Sequence, residues 1–237
     1  MSRVQEVHKL KEQMKMCFVI AVDVNETSAL RKMTKESEEF HDMLVINLKD
    51  EVSQHCHKAL GFLEYFLSQC YNYKNVQPFK TPMDEYVNYP FYMKITDDDV
   101  VFPAKLYKTI ESLVNHSSRR FCAGSRISFH PHFVSGSAFI VTNQAAKEIF
   151  EVARCMSGVS YMDDITITLE IRQKLNMQLV YLPFADHLIN FNEKELPSFD
   201  QINQFDIIHK VPGFTSKHVQ AIYDVYEAHR KNISETF

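Results

Sequence analysis

Phe91-Tyr-Met-Lys-Ile-Thr-Asp-Asp-Asp-Val-Val-Phe102 is the stretch on which the reading of the fold turns. Its first five residues are aromatic and apolar around one lysine, which is the pattern of a strand. The strand runs directly into three adjacent carboxylates, Asp97, Asp98 and Asp99, and Pro103 then opens a helix whose inner face carries Leu106, Ile110, Leu113 and Val114. Like charges this close raise one another's pKa or require a cation. Two readings of the triplet follow from the residues alone. It is a solvated acidic loop or helix N-terminus, or it holds a hard divalent metal, which prefers oxygen ligands and often shares them with substrate phosphates.

Working outward, strand and helix patterns alternate. Residues 1–15 form a charged, helix-compatible segment. Cys17–Val22 reads as a buried strand, Asn25–Phe40 as a polar helix with Thr27 or Ser28 as its cap, and Met43–Ile46 as a second strand. Glu51–Tyr71 has apolar side chains at helical spacing, and Asn72–Pro90 is polar and turn-prone. Downstream, strands are expected at Arg120–Gly124, Phe139–Val141 and Leu179–Leu182. Helices are expected at Asn143–Cys155, Asp163–Leu175 and His218–Lys231, the last after a loop-rich tail. Such alternation predicts an α/β sandwich with a largely parallel sheet. Ligands of these sheets bind beyond the carboxyl ends of the strands, where the triplet falls.

Composition narrows the function. The 237 residues are 45% hydrophobic and 24% charged, with a net charge of -4, so nothing basic invites nucleic acid. With 18 Phe, 11 Tyr and no Trp, the core is expected to be rich in aromatic rings. No stretch approaches the ~20 apolar residues of a membrane span, and no apolar signal region follows Met1. The five cysteines contain no C-x-x-C pair, which excludes zinc-knuckle and thioredoxin readings; they allow at most two disulfides, or free buried thiols. Sequons at Asn25, Asn115 and Asn232 lean toward a secretory compartment.

Lys94-Ile-Thr-Asp-Asp-Asp-Val-Val-Phe102 resembles the K-x-D-D-D-V-F signature of the β1,3-hexosyltransferases, the galactosyltransferase family that includes fringe-type enzymes. Other blocks recur in that family's order. Asp42 and Asp50 match an acidic stretch, Lys58 the lysine of an L-T-x-K-T helix, and Cys70 the cysteine ending it. His130-Pro-His-Phe-Val-Ser-Gly-Ser-Ala-Phe-Ile-Val-Thr142 is similar to Y-P-P-Y-x-S-G-x-G-Y-v-l-S, and Met162-Asp-Asp-Ile-Thr-Ile-Thr168 to E-D-V-y-v-G. The resemblance implies a nucleotide-sugar transferase (GT-A type) α/β fold with a single mostly parallel, mixed sheet flanked by helices. It also implies a UDP-sugar donor, a glycan acceptor on glycoprotein or glycolipid, and Mn2+ (or Mg2+) as cofactor.

Roles carried over by that resemblance are specific. Asp99 would be the principal metal ligand, with Asp97 beside it and His209 completing the shell; Asp97 and Asp98 would also meet ribose or donor sugar. Asp164 would be the general base, with Asp163 next to the substrate, and Ser135, Gly136 and Ser137 would wall the donor sugar. From the residues alone, Asp163 or Asp164 is equally a helix cap, Gly136 an ordinary turn residue, Lys58 a solvated helix lysine and His209 a structural histidine.

Three departures from the family pattern stand out. No anchor, first nucleotide-binding strand or Arg-rich segment precedes Cys17. Only Ser125 to Phe129 separate Gly124 from the Ser-Gly block, and Thr168 replaces a glycine. Residues 1–16 are therefore read as a stem remnant and 17–237 as a catalytic domain lacking its first strand. The expected function is inverting transfer of a hexose in β1,3 linkage, in the Golgi lumen, with membrane association only through an upstream anchor. The alternatives are a non-catalytic member that binds glycans or scaffolds, and a Mg-dependent phosphatase or nuclease.

Overall fold

The computed structural model describes residues 18–23, 25–40, 43–49, 51–68, 90–96, 99–116, 119–127, 132–156, 160, 162–185, 198–209 and 216–234. The charged segment 1–15 and the turn-prone stretch 72–89 lie outside them.

Phe18–Ala21 (β1), the helix Thr27–Phe40 (α1) and Met43–Ile46 (β2) form a right-sized β-α-β unit, with β1 and β2 parallel. The Glu26 carbonyl accepts from Leu30 N–H, so Thr27 opens the helix and is not its cap. A 3-10 turn, Val52–Gln54, leads into α2, His55–Ser68. Phe91–Ile95 (β3) and Asp99–Val101 (β4) flank the acidic triplet, and α3 runs Pro103–Leu113. Phe121–Arg126 (β5), Val134–Thr142 (β6) and Asn143–Arg154 (α4) follow. Thr142 caps α4 by accepting from Ala145 N–H at 3.3 Å. Next come a π-helix, Asp164–Ile171, a single α turn, Arg172–Lys174 (α5), and the strands Gln178–Tyr181 (β7) and Phe184–Ala185 (β8). The loop-rich tail contains Phe199–Ile202 (α6) and Ile207–His209 (β9) before the terminal helix Ser216–Ser234 (α7).

The fold is mixed α/β, as expected, but among the described residues the strands do not form the single, mostly parallel sheet. Among the described residues the strands form three sheets, β1-β2, β3-β6-β5-β7 and β4-β9-β8. Three of the strand pairings are parallel and three antiparallel. The physical reason lies in the connections. Residues 127–133 join β5 to β6, fewer than the dozen or so residues a parallel crossover needs, so β6 returns antiparallel to β5; β3 pairs antiparallel with β6 on its other side.

Strand alternation divides the core around the four-stranded sheet. Tyr92, Cys122, Val134, Phe139 and Val141 face α2, α4 and the π-helix, meeting Leu63, Ile149, Ile167 and Ile171. Phe121, Ala123, Ala138 and Ile140 face the other way, toward Leu106 and Leu113 of α3 and Ile207 of β9. A third cluster, Val100, Phe102, Ile202, Ile208 and Ile222, packs α7 on β4 and β9. Cys56, Cys122 and Cys155 are free thiols, so the arrangement with two disulfides does not occur.

Candidate active site

The register of β6 slips where the Ser-Gly block lies. Phe139 pairs with Gly124 and Val134 with Arg126, so five steps along β6 oppose two along β5. The bulge holds Ser135, Gly136 and Ser137. Such bulges interrupt the ladder and re-aim side chains, and their peptide groups must find partners elsewhere. Gly136 N–H donates to Asp164 Oδ2 at 3.2 Å, and Gly136 C=O accepts from the Lys94 ammonium. Ser135 and Ser137 are buried, with their hydroxyls 3.0 Å apart. Gly136 is therefore a bulge residue and not a turn.

The group that comes close to Gly136 is the acidic pair. A Cβ at that position would lie 2.8 Å from Asp163 Oδ1 and 3.3 Å from Asp164 Cβ and Cγ. Lys94 reaches across to Asp163 Oδ2 at 3.1 Å. Asp163 Oδ1 also accepts from Asp164 N–H at 3.0 Å, so the capping contact belongs to Asp163. Burial is the main reason that Asp164 is held above the usual carboxylate range. The negative charge of Asp163 adds to the rise, while donors from Ile165 N–H and Gly136 N–H and the charge of Lys94 oppose it. Asp164 begins a π-helix, a conformation rare in general and frequent at functional sites. Thr168, where a glycine was expected, is fully buried; its hydroxyl accepts from Val134 N–H at 3.2 Å and sits 3.0 Å from Val134 C=O. The side chain thus ties the π-helix to the start of β6.

The triplet meets this cluster through Thr96. Thr96 N–H points to both Ser137 C=O, at 2.9 Å, and Asp99 Oδ2, at 3.3 Å. Thr96 Oγ1 is buried and has no hydrogen-bond partner among the described residues. Asp99 stands directly opposite His209 in the antiparallel β4–β9 pair. Buried Asp206 sets that register: Phe102 N–H donates to its carbonyl at 2.9 Å, and the Thr109 hydroxyl donates to its carboxylate. The Asp99 carboxylate and the orphaned Thr96 hydroxyl are oxygen donors of the kind a hard divalent cation such as Mn2+ prefers.

Asp97 and Asp98, like Asp42, Asp50, Cys70 and the His209 side chain, lie outside what the structure describes. Among the described residues no group of three His, Cys, Asp or Glu is placed to hold a metal. Lys58 is half-buried on α2. The residue that sequence reasoning left without a role is Lys94. Its signal was a lone charge in the strand leading to the triplet; the missing information was that the carboxylates it meets come from a segment about seventy positions later.

The family model described as Galactosyltransferase matches residues 3–128, more than half of the chain. The chain belongs to the galactosyltransferase family. The matched span includes the β-α-β unit, Lys94 and the triplet, and it ends just after β5. No curated protein matches the chain. In this galactosyltransferase-family chain the bulge, the acidic pair and His209 follow the matched span in sequence, and β6 and β9 return them to Lys94 and Asp99. The family supports glycosyl transfer between a sugar donor and a glycan acceptor.

Proposed function

We propose that this chain transfers a hexose (galactose or an N-acetylhexosamine) from a UDP-sugar to a glycan hydroxyl in β1,3 linkage, with inversion. The observation that carries this reading is the pairing of a half-buried carboxylate, Asp164, with a backbone N–H in a strand bulge that also touches Thr96 beside Asp99. An inverting transfer needs one base near the acceptor and a separate centre for the diphosphate, and the two clusters divide in that way. Asp164 takes the proton of the attacking hydroxyl, the new bond forms at the anomeric carbon, and the bond to UDP breaks on the opposite face. Its raised pKa suits that task, since a base works best when its pKa approaches the working pH. Asp99 and His209, with Asp97, would hold Mn2+ or Mg2+, which when bound offsets the charge growing on the leaving diphosphate. Asp98 and the bulge Ser135–Ser137 border the donor. The compartment that fits is the Golgi lumen, where UDP-sugars and Mn2+ meet.

The test is calorimetric titration of the chain with UDP in the presence of Mn2+, followed by assay of UDP-sugar hydrolysis. Asp99→Ala is expected to abolish UDP binding, and Asp164→Asn to abolish turnover while UDP still binds. UDP binding that survives Asp99→Ala unchanged would overturn the reading.

A further inference from the structure

Asp163 is buried and Asp164 half-buried beside it, and in the proposed reaction the base is one of the two. Their surroundings differ. Asp163 lies against a cation, with Lys94 Nζ 3.1 Å from Oδ2. Asp164 receives two backbone N–H donors, from Gly136 at 3.2 Å and Ile165 at 2.8 Å. Lys94 also donates to the carbonyl of the same Gly136 whose N–H holds Asp164. One ammonium therefore grips the counter-carboxylate and the residue that carries the base.

We propose that Lys94 is the positioning residue of the catalytic base: by pairing with Asp163 and anchoring Gly136, it leaves Asp164 as the carboxylate free to accept the proton. The inference rests on the glycosyltransferase reading and assigns a role that reading does not require. Other groups facing the pair are few. Burial pushes the Cys56 thiol of α2 up to about 11, and the nearby charges of both aspartates add to the rise, so it brings no charge. Glu170 of the π-helix is the remaining acidic neighbour of that thiol. Arg172 directs its guanidinium to the carbonyls of Thr168, Met177 and His132, not to a carboxylate. Lys94 is thus the cation that meets the pair among the described residues.

The experiment compares the full chain with its Lys94→Met and Lys94→Arg variants. In UDP-galactose hydrolysis with Mn2+, Lys94→Met should lower kcat by on the order of 10- to 100-fold, within the range general bases contribute. KM for the donor should change little, and the acidic limb of the pH profile should move upward by about 1 unit, as expected when a neighbouring cation is removed. Lys94→Arg should restore most of both. A raised KM, with weakened UDP binding and intact kcat, would overturn the proposal and make Lys94 a donor contact. A lowered Tm with an unmoved pH profile would make it merely structural. Carbon NMR titration of the Asp164 carboxyl, assigned with Asp164→Asn, reads the same role without turnover. If the wild type neither binds UDP nor turns over, the glycosyltransferase reading fails. The carboxyl midpoint must still rise in Lys94→Met, and an unmoved midpoint refutes the positioning role.

Discussion

One methyl group added at Gly136 tests how tightly the acidic pair is seated. Gly136 has a backbone conformation open to any residue, so Gly136→Ala incurs no φ penalty and its effect is steric. The new Cβ would lie 2.8 Å from Asp163 Oδ1, closer than real Cβ atoms come, and 3.3 Å from two atoms of Asp164. Asp163 cannot simply swing away, because its other oxygen is held by Lys94 at 3.1 Å. Overpacking of this kind costs about 1–3 kcal/mol. Replacing glycine in a strand offsets roughly 0.5–1 kcal/mol of that, through the unfolded chain. The net loss is then on the order of 1–2 kcal/mol, which for a chain of this size lowers Tm by about 2–8 °C. Gly61→Ala is the control. There the added Cβ meets the end of the Ile46 side chain at 3.0 Å, which can rotate away, and alanine favours the helix, so stability should hold or rise. Thermal unfolding by circular dichroism reads both variants, and hydrolysis of a UDP-sugar reads the site. If Gly136→Ala matched wild type in Tm and turnover, the acidic pair would not be seated as described.

The pH dependence of stability follows from Asp164. Its pKa is raised in the folded state, so the folded protein binds that proton more tightly, and stability present at low pH is lost as pH rises through the raised value. In urea unfolding at a series of pH values, Asp164→Asn should match wild type in acid and exceed it above that window; an equal gap at every pH would refute the burial argument. Thr168→Val keeps the shape but leaves Val134 N–H without the hydroxyl it meets at 3.2 Å. A loss of about 1–3 kcal/mol is expected in the same measurement, and a neutral result would show that Thr168 fills space only.

Much of the chain was legible from local patterns. Met43–Ile46 and Phe91–Ile95 were read with their observed bounds, and Pro103 opens α3 as its fixed φ and missing N–H suggest. Short strands in the tail were not legible. Ile207–His209 is three residues long and carries no periodicity of its own; it becomes a strand because β4 and β8 pair with it on either side. The π-helix was read as an ordinary helix, since apolar spacing does not distinguish i+4 from i+5 bonding over eight residues.

The acidic triplet, the Ser-Gly block and the Asp163-Asp164 pair could be named from the sequence alone, because their chemistry and order are local facts. Their division of labour could not. That Lys94 meets Asp163, that Gly136 holds Asp164 and that Asp99 pairs with His209 depend on a slipped register and two antiparallel pairings. Those pairings join segments up to about a hundred residues apart, and a hydrogen-bond register between distant strands leaves no trace in the composition of either.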